Sequence, residues 1–502
     1  MIIVGSGAGG AAAAYRLVLA DLNVLVLEKG APLPRDGSTL DDERVVTRGE
    51  FLSKEPWLDV NGNAICPEEH FNLGGKTKWY GAAVLRYSPR EFEADLEFGA
   101  RGWPISHADL EPYYGEAERL LGARTFPCEP GLERILARLS AANPAWQSSP
   151  LPMALSPDIL RNHREATHFD GFASASNLKG DAESGFLNRI ADRPNLEIRT
   201  GAEVDNLLPA IIGGARIGSD ARIGADTHID AGTQIGGVRL TNGEELRAPI
   251  VLLAAGALHS PRLLSRYLAA RDPTSQVSGL DAVGRNLKKH VLTALVAISL
   301  SPQTDLLRKT MITTHRDYPH SSVQPLGFDG DLMATLVPKF VPRMLARAIG
   351  RRAYGFFLQT EDGSHPDNRV FERPGGGADE PSEKRAPLRV MDYDAARTPA
   401  SQREHRAFTQ AFQRDLLRIG WLSFTQPVGL NGTAHVDGTL IAGHDPKDAV
   451  VGPNGGVLGI PGLYVVDGSI LPRSSRVNPS LSIYAWSLRV ADLLAKSLRP
   501  PR

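Results

Sequence analysis

Residues 432–439 read GTAHVDGT, a lone histidine framed by two Gly-Thr pairs. An imidazole titrates near pH 6.5, so His435 can take up or release a proton at neutral pH. A second polar group stands within 459–498, where a strand runs up to Asp467, a proline-containing loop reaches Asn478-Pro479 and a long helix follows. A polar side chain at a helix start near a strand end suits contact with a cofactor. The opposite end of the chain, MIIVGSGAGG, carries Gly5, Gly7 and Gly10 in a G-x-G-x-x-G. Glycines so spaced permit a tight turn at Gly5, close approach of a pyrophosphate to the backbone at Gly7, and packing of helix on strand at Gly10.

The flanking elements agree with that chemistry. MIIV is a short β-branched strand, AAAAYRLVLAD has helix-forming composition, and LNVLVLEKG reads as a second buried strand ending at Glu28. The helix start turns its positive dipole end toward a diphosphate. A carboxylate at Glu28 can accept hydrogen bonds from both hydroxyls of a ribose. This βαβ unit predicts an α/β fold with a dinucleotide site, and it does not separate FAD from NAD. The first strand begins at the first residue, so either it is short or residues are missing upstream.

A chain of 502 residues exceeds one hydrophobic core and predicts two or more domains. Hydrophobic residues at 42% and charged residues at 23% are ordinary for a soluble globular protein. A net charge of −1 offers no basic field to recruit nucleic acid or an anionic membrane. Cys66 and Cys128 lack metal or redox spacing, so neither a metal site nor a disulfide framework is expected. No basic segment precedes the uncharged start, and no apolar run is long enough to span a bilayer. The cytoplasm is the expected location.

Further along, FNLGGKTKWYG (71–81) is a second glycine-rich loop, and 103–122 reads as a turn followed by an amphipathic helix. Residues 195–208 read as strand, turn, strand, and 248–264 as strand, turn, helix; 282–291 reads as a loop. RMLARAIGRR predicts a solvated helix over the active site, and RPGGGADEPSEK (373–384) an exposed loop. Residues 211–236 repeat with period six, with Ile211, Ile217, Ile223, Ile229 and Ile235 in one phase. This is the pattern of parallel β-helices, yet so few repeats make little more than one coil. Residues 209–237 are therefore expected to be a β insert leaning on its host, not an acyltransferase module.

VGSGAGG with Glu28, GGKTKWYG, WPISHADLEPYY, LAAGALHSPRLL, VGRNLKKH, HVDGT and GLYVVDGSILP…VNPSLSIYAWSLRVAD stand in one order over most of 1–300 and 425–500. In these the chain resembles the glucose–methanol–choline (GMC) oxidoreductases. The resemblance implies FAD on a Rossmann-like domain that is discontinuous in sequence (1–88, 170–300 and 426–502). An α+β substrate domain with an antiparallel sheet (89–169 and 301–425) would roof the flavin. It makes His435 the active-site histidine and Asn478 its partner. It places Asp467 and Pro479 against the flavin, Gly75 and Thr77 in the loop beside the isoalloxazine, and Val204 at the adenine. Tyr80 departs from the family's Asn, and the loop has no histidine for a covalent flavin link.

The implied reaction is oxidation of a small-molecule alcohol to a carbonyl. Flavin N5 takes the hydride, His435 the hydroxyl proton, and Asn478 aligns the hydroxyl. His259 and His290 read as packed or exposed residues near turns. A pyridine-nucleotide flavin reductase would show a second G-x-G-x-x-G and a redox cysteine pair, and the sequence has neither. A GMC-fold lyase and a non-catalytic flavin-binding protein are the alternatives. The alcohol and the electron acceptor, whether oxygen, a quinone or a redox protein, are left open.

Overall fold

The computed structural model describes residues 1–211, 234–270, 280–335, 342–375 and 387–499. A five-stranded sheet runs in the order Leu463–Val465, Val251–Leu253, Ile2–Val4, Val24–Glu28, Leu196–Thr200, with every neighbouring pair parallel. Ile2–Val4 lies between two partners, with Ile3 opposite Leu252 on one side and Val26 on the other. A strand in that position is covered on both faces, and its unbroken apolar run follows. The helix Ala8–Leu19 packs on this sheet through Ala11, Ala12, Ala13 and Ala14, all fully buried. Those small side chains let the C-terminal helix Ser480–Ser497 come close, and Ser487 Oγ donates to the Gly9 carbonyl.

A six-stranded antiparallel sheet follows the order Leu422–Pro427, Val291–Ile298, Ala353–Thr360, Tyr318–Pro325, Met311–His315, Trp146–Pro150. Its side chains alternate between two faces. Leu295, Val323, Phe356 and Leu358 pack with Leu132, Ile135, Phe408 and Phe412 from the helices Pro130–Ala142 and Pro399–Arg418. Leu292, Gln324, Phe357 and Gln359 point the other way and line a cavity shared with the parallel sheet. Two elements pack across the boundaries expected from sequence. The strand Val291–Ile298 belongs to the antiparallel sheet, and the helix His107–Leu121 lies on the C-terminal helix, where Tyr114 and Ser482 hydroxyls hydrogen-bond at 2.7 Å.

Two smaller expectations need correction. RMLARAIGRR does form a helix, Arg343–Gly350, with Met344 and Leu345 exposed, but none of its residues lines the cavity. The segment 282–291 is not wholly a loop. Lys288–Lys289 pairs antiparallel with Val436–Asp437, because buried Lys288 faces Asp437 at 3.8 Å.

The repeats of the hexapeptide insert lie outside the described residues from 212 to 233, and of 373–384 only the first three residues are described. The ends of the insert are held by a hairpin. Val204–Pro209 pairs with Ile235–Leu240, and Ala210 N donates to Gln234 O at 2.9 Å. A ladder that pairs as far as Pro209 and Ile235 does not need 212–233 for its register. Replacing 212–233 by a short glycine-containing turn is therefore expected to leave melting temperature and flavin content unchanged. Loss of either would show that the insert supports the body.

Candidate active site

The cavity between the two sheets has a volume of ≈ 660 Å³. Every residue expected at the site lines it except Gly10. The first glycine loop forms part of its wall. Gly5 has φ +103°, and a Cβ on Gly10 would fall 1.9 Å from Gly5 O, so Gly10 serves the close packing expected of it. Gly9 is equally tight, with a Cβ 1.9 Å from Val466 O, although the motif does not name it. A Cβ on Gly7 would meet nothing within 4 Å and would stand in the cavity. No side chain caps the helix at Gly7, so its first-turn N–H groups remain available to an anion.

Glu28 ends the second strand as expected. Its Oε2 accepts from Ser6 N at 3.0 Å and from Ser6 Oγ at 2.5 Å, and its Oε1 from Gly30 N at 2.9 Å. Burial raises its pKa, and these bonds only partly oppose the shift. The same loop touches the second one. Gly74 N donates to Ser6 Oγ at 3.0 Å, and a Cβ on Gly75 would lie 3.2 Å from Gly7 Cα. Thr77 Oγ1 donates to Gly74 O at 2.6 Å and accepts from Ala182 N. The Tyr80 hydroxyl donates to Gly180 O, which fixes the ring at the cavity wall. Val204 lines the cavity from the start of its strand.

His435 and Asn478 also line this cavity and touch each other, with Asn478 Nδ2 3.3 Å from His435 Nε2. Asn478 Oδ1 accepts from Gln324 Nε2 at 2.7 Å, so the amide is anchored from the antiparallel sheet. The other His435 nitrogen, Nδ1, is 2.8 Å from His290 Nδ1. Sequence gives His290 no part here. It is buried as expected of a packed residue, but the Lys288–Asp437 ladder sets it directly behind His435. Burial, then His290, Lys309 and Lys76, push the His435 pKa well below its ordinary value. Its imidazole is thus neutral at neutral pH, with one nitrogen toward the cavity.

Asp467 is consumed by the fold. Its Oδ1 accepts from Ser469 N and Oγ, and its Oδ2 from Gly256 N at 2.8 Å and Ser260 Oγ at 2.5 Å. These bonds tie the end of the strand Leu463–Val465 to the turn after Val251–Leu253. Pro479 caps the C-terminal helix and lines the cavity beside Asn478. Among the described residues no group of three or more His, Cys, Asp or Glu could hold a metal, and no helix is long and apolar enough to cross a membrane. A neutral imidazole and an anchored amide that line the same cavity as an uncapped helix start have the groups needed to deprotonate a hydroxyl beside a dinucleotide.

The chain matches the GMC oxidoreductase N-terminal model over residues 2–292 and the C-terminal model over 384–487. It is 28% identical to a 6'''-hydroxyparomomycin C oxidase of Streptomyces lividus, over 100% of this chain and 92% of that one. It is 25% identical to a 2-methyl-1,2-propanediol dehydrogenase of Mycolicibacterium austroafricanum, over 99% and 95%. The crystal structure of a pyridoxine 4-oxidase from Mesorbium loti shares its fold, with a TM-score of 0.68 and 19% identity over 99% and 98% of the two chains. The chain therefore belongs to the GMC oxidoreductase family and is an oxidoreductase.

Proposed function

We propose that FAD, held without a covalent link, occupies the cavity from Val204 and Glu28 to His435, and that the protein oxidises the CH–OH group of a small alcohol to a carbonyl. In this reading the parallel sheet carries the cofactor and the antiparallel sheet roofs the substrate. The donor set fits FAD: an uncapped helix start beside an open Gly7 for the diphosphate, and a buried carboxylate at the end of the second strand for the ribose. The observation that carries the reading is the placement of His435 and Asn478 in the same cavity as that loop. Oxidase and dehydrogenase relatives support it.

Bound flavin supplies the acceptor for the carbinol hydride. His435 Nε2 takes the hydroxyl proton, which a neutral imidazole can do and an imidazolium cannot. Asn478 does not titrate; its amide, anchored by Gln324, holds the hydroxyl in line. Leu292, Phe357 and Val428 give the cavity apolar walls that exclude water from the reacting carbon. Acid precipitation is expected to release a yellow supernatant with the mass of FAD, and flavin in the pellet would overturn the non-covalent assignment. An anaerobic panel of sugars, sterols, choline and aliphatic alcohols is expected to bleach the flavin without NADPH. Bleaching by NADPH alone would make the protein a reductase. Oxygen, a quinone and a redox protein are then compared as the reoxidant.

A further inference from the structure

The reaction proposed above uses His435 and Asn478, while His290 behind them is fully buried with both ring nitrogens engaged. His290 Nε2 lies 2.8 Å from the Ser475 carbonyl oxygen, and Nδ1 lies 2.8 Å from His435 Nδ1. A carbonyl oxygen only accepts, so Nε2 of His290 carries a proton and donates it. Burial lowers the His290 pKa and keeps the ring neutral, so its Nδ1 has a lone pair and no proton. His435 Nδ1 must then be the donor in the contact between the rings. Its Nε2 is left bare.

The opposite side of His435 agrees independently. Asn478 Oδ1 is taken by Gln324 Nε2, which turns the Asn478 NH₂ group toward His435 Nε2. A donor there requires an acceptor on the ring. Both ends of the chain of bonds specify the same tautomer.

The Ser475 carbonyl is itself held. Ser475 has φ +66°, a left-handed conformation that a serine rarely adopts. Its Oγ donates to Glu91 Oε1 and its N donates to Glu361 Oε1 at 3.3 Å. Glu361 is gripped by Arg473, with Nε at 2.5 Å and Nη2 at 2.9 Å. Strained backbone persists where its surroundings over-determine it. Here the result is a carbonyl aimed at His290.

We propose that His290, oriented by the Ser475 carbonyl, is a positioning residue that holds His435 as the Nδ1–H tautomer, so that His435 Nε2 keeps an unprotonated lone pair, which a substrate hydroxyl would take over from the Asn478 amide. The proposal rests on His435 as the base and adds what makes the correct nitrogen basic. The ionisable groups facing the pair are Glu91 and Glu361 on the side of His290, and Lys76 and Lys309 on the side of His435.

The tautomer is read in the FAD-loaded protein with ¹⁵N-labelled histidine, which needs no substrate. The ring signals missing from His435→Ala belong to His435. They are expected to report a protonated Nδ1 and a bare Nε2 at neutral pH, whatever the alcohol screen finds; a protonated Nε2 in the wild-type protein overturns the proposal. Two variants then separate positioning from packing. His290→Asn keeps an acceptor oxygen near the place of Nδ1, while His290→Phe keeps the bulk and loses the acceptor. His290→Phe is expected to lose the single tautomer and to slow flavin reduction by the best alcohol of the screen roughly tenfold or more, as wrong tautomers do elsewhere. His290→Asn is expected to keep the tautomer and stay within about threefold of wild type, below the range for losing a base. Equal behaviour of the two variants overturns the proposal, whether both match wild type or both are equally slow.

Discussion

His435→Ala is expected to lower the rate of flavin reduction by substrate about a hundredfold to ten-thousandfold, the usual range for loss of a general base. The bound-flavin spectrum should stay intact, because the imidazole supports no part of the glycine loops proposed to hold the cofactor. The pH dependence follows from the environment of the ring. Burial, then His290, Lys309 and Lys76, lower its pKa. A base with a lowered pKa is unprotonated at every pH above that value. Reduction of the wild-type enzyme is therefore flat from about pH 9 down to about 6.5 and falls only in more acid solution. The alanine variant loses this acid limb along with the rate. Asn478→Ala slows reduction too, with less effect on its pH dependence than His435→Ala, since the amide does not itself titrate. Stopped-flow reduction across that range decides the matter: wild-type rates in His435→Ala would make the histidine structural.

The second large effect concerns the fold. A methyl group on Gly9 would lie 1.9 Å from Val466 O and 2.7 Å from Val466 C. Both are backbone atoms in the run of chain after the edge strand Leu463–Val465, so no side-chain rotation relieves the clash. Gly9→Ala is expected to cost about 3 kcal/mol or more, a large part of a typical stability of about 5–15 kcal/mol. The melting temperature should drop by roughly 3 °C or more, with loss of bound FAD. Gly7→Ala provides the contrast. Its Cβ meets nothing in the protein and protrudes into the cavity. Melting of the flavin-free protein should be unchanged while FAD affinity falls about tenfold, the equivalent of ~1.4 kcal/mol. A Gly9→Ala protein with wild-type melting and flavin content would remove the steric argument.

These positions also mark how far the sequence could be read. The βαβ unit was legible because its apolar strands, small-residue helix and glycine spacing are local patterns. His435 and Asn478 were legible because glycines frame one and a strand and helix frame the other. Gly9 was not, since its constraint comes from Val466, far away in the chain. His290 was hidden for a different reason. NLKKHV looks like a basic surface loop, yet Lys288, Lys289 and His290 are all buried. Lys288 faces Asp437, and Lys289 Nζ donates to Gly429 O at 2.6 Å, both more than a hundred residues onward. Composition cannot reveal partners at such separation. The antiparallel sheet was expected through the family resemblance but not legible in residue pattern, because its cavity face carries Gln324 and Gln359 where an alternating strand would be sought in apolar residues.

The seating of Gly9 against Val466, with Ser487 bonded to the Gly9 carbonyl, sets a schedule for the newborn protein. The first strand is made well before its neighbour Val251–Leu253 and the edge strand Leu463–Val465 beyond it. At ~5–20 residues per second the amino-terminal glycine loop waits roughly 20–90 s for its far partner. During that interval the alanine-rich helix has no companion helix and the sheet is incomplete. Closure of the surface proposed to bind the cofactor is thus deferred until the C-terminal helix Ser480–Ser497 has been made, and a chain released before Ser480 carries the glycine fingerprint without the elements that close it.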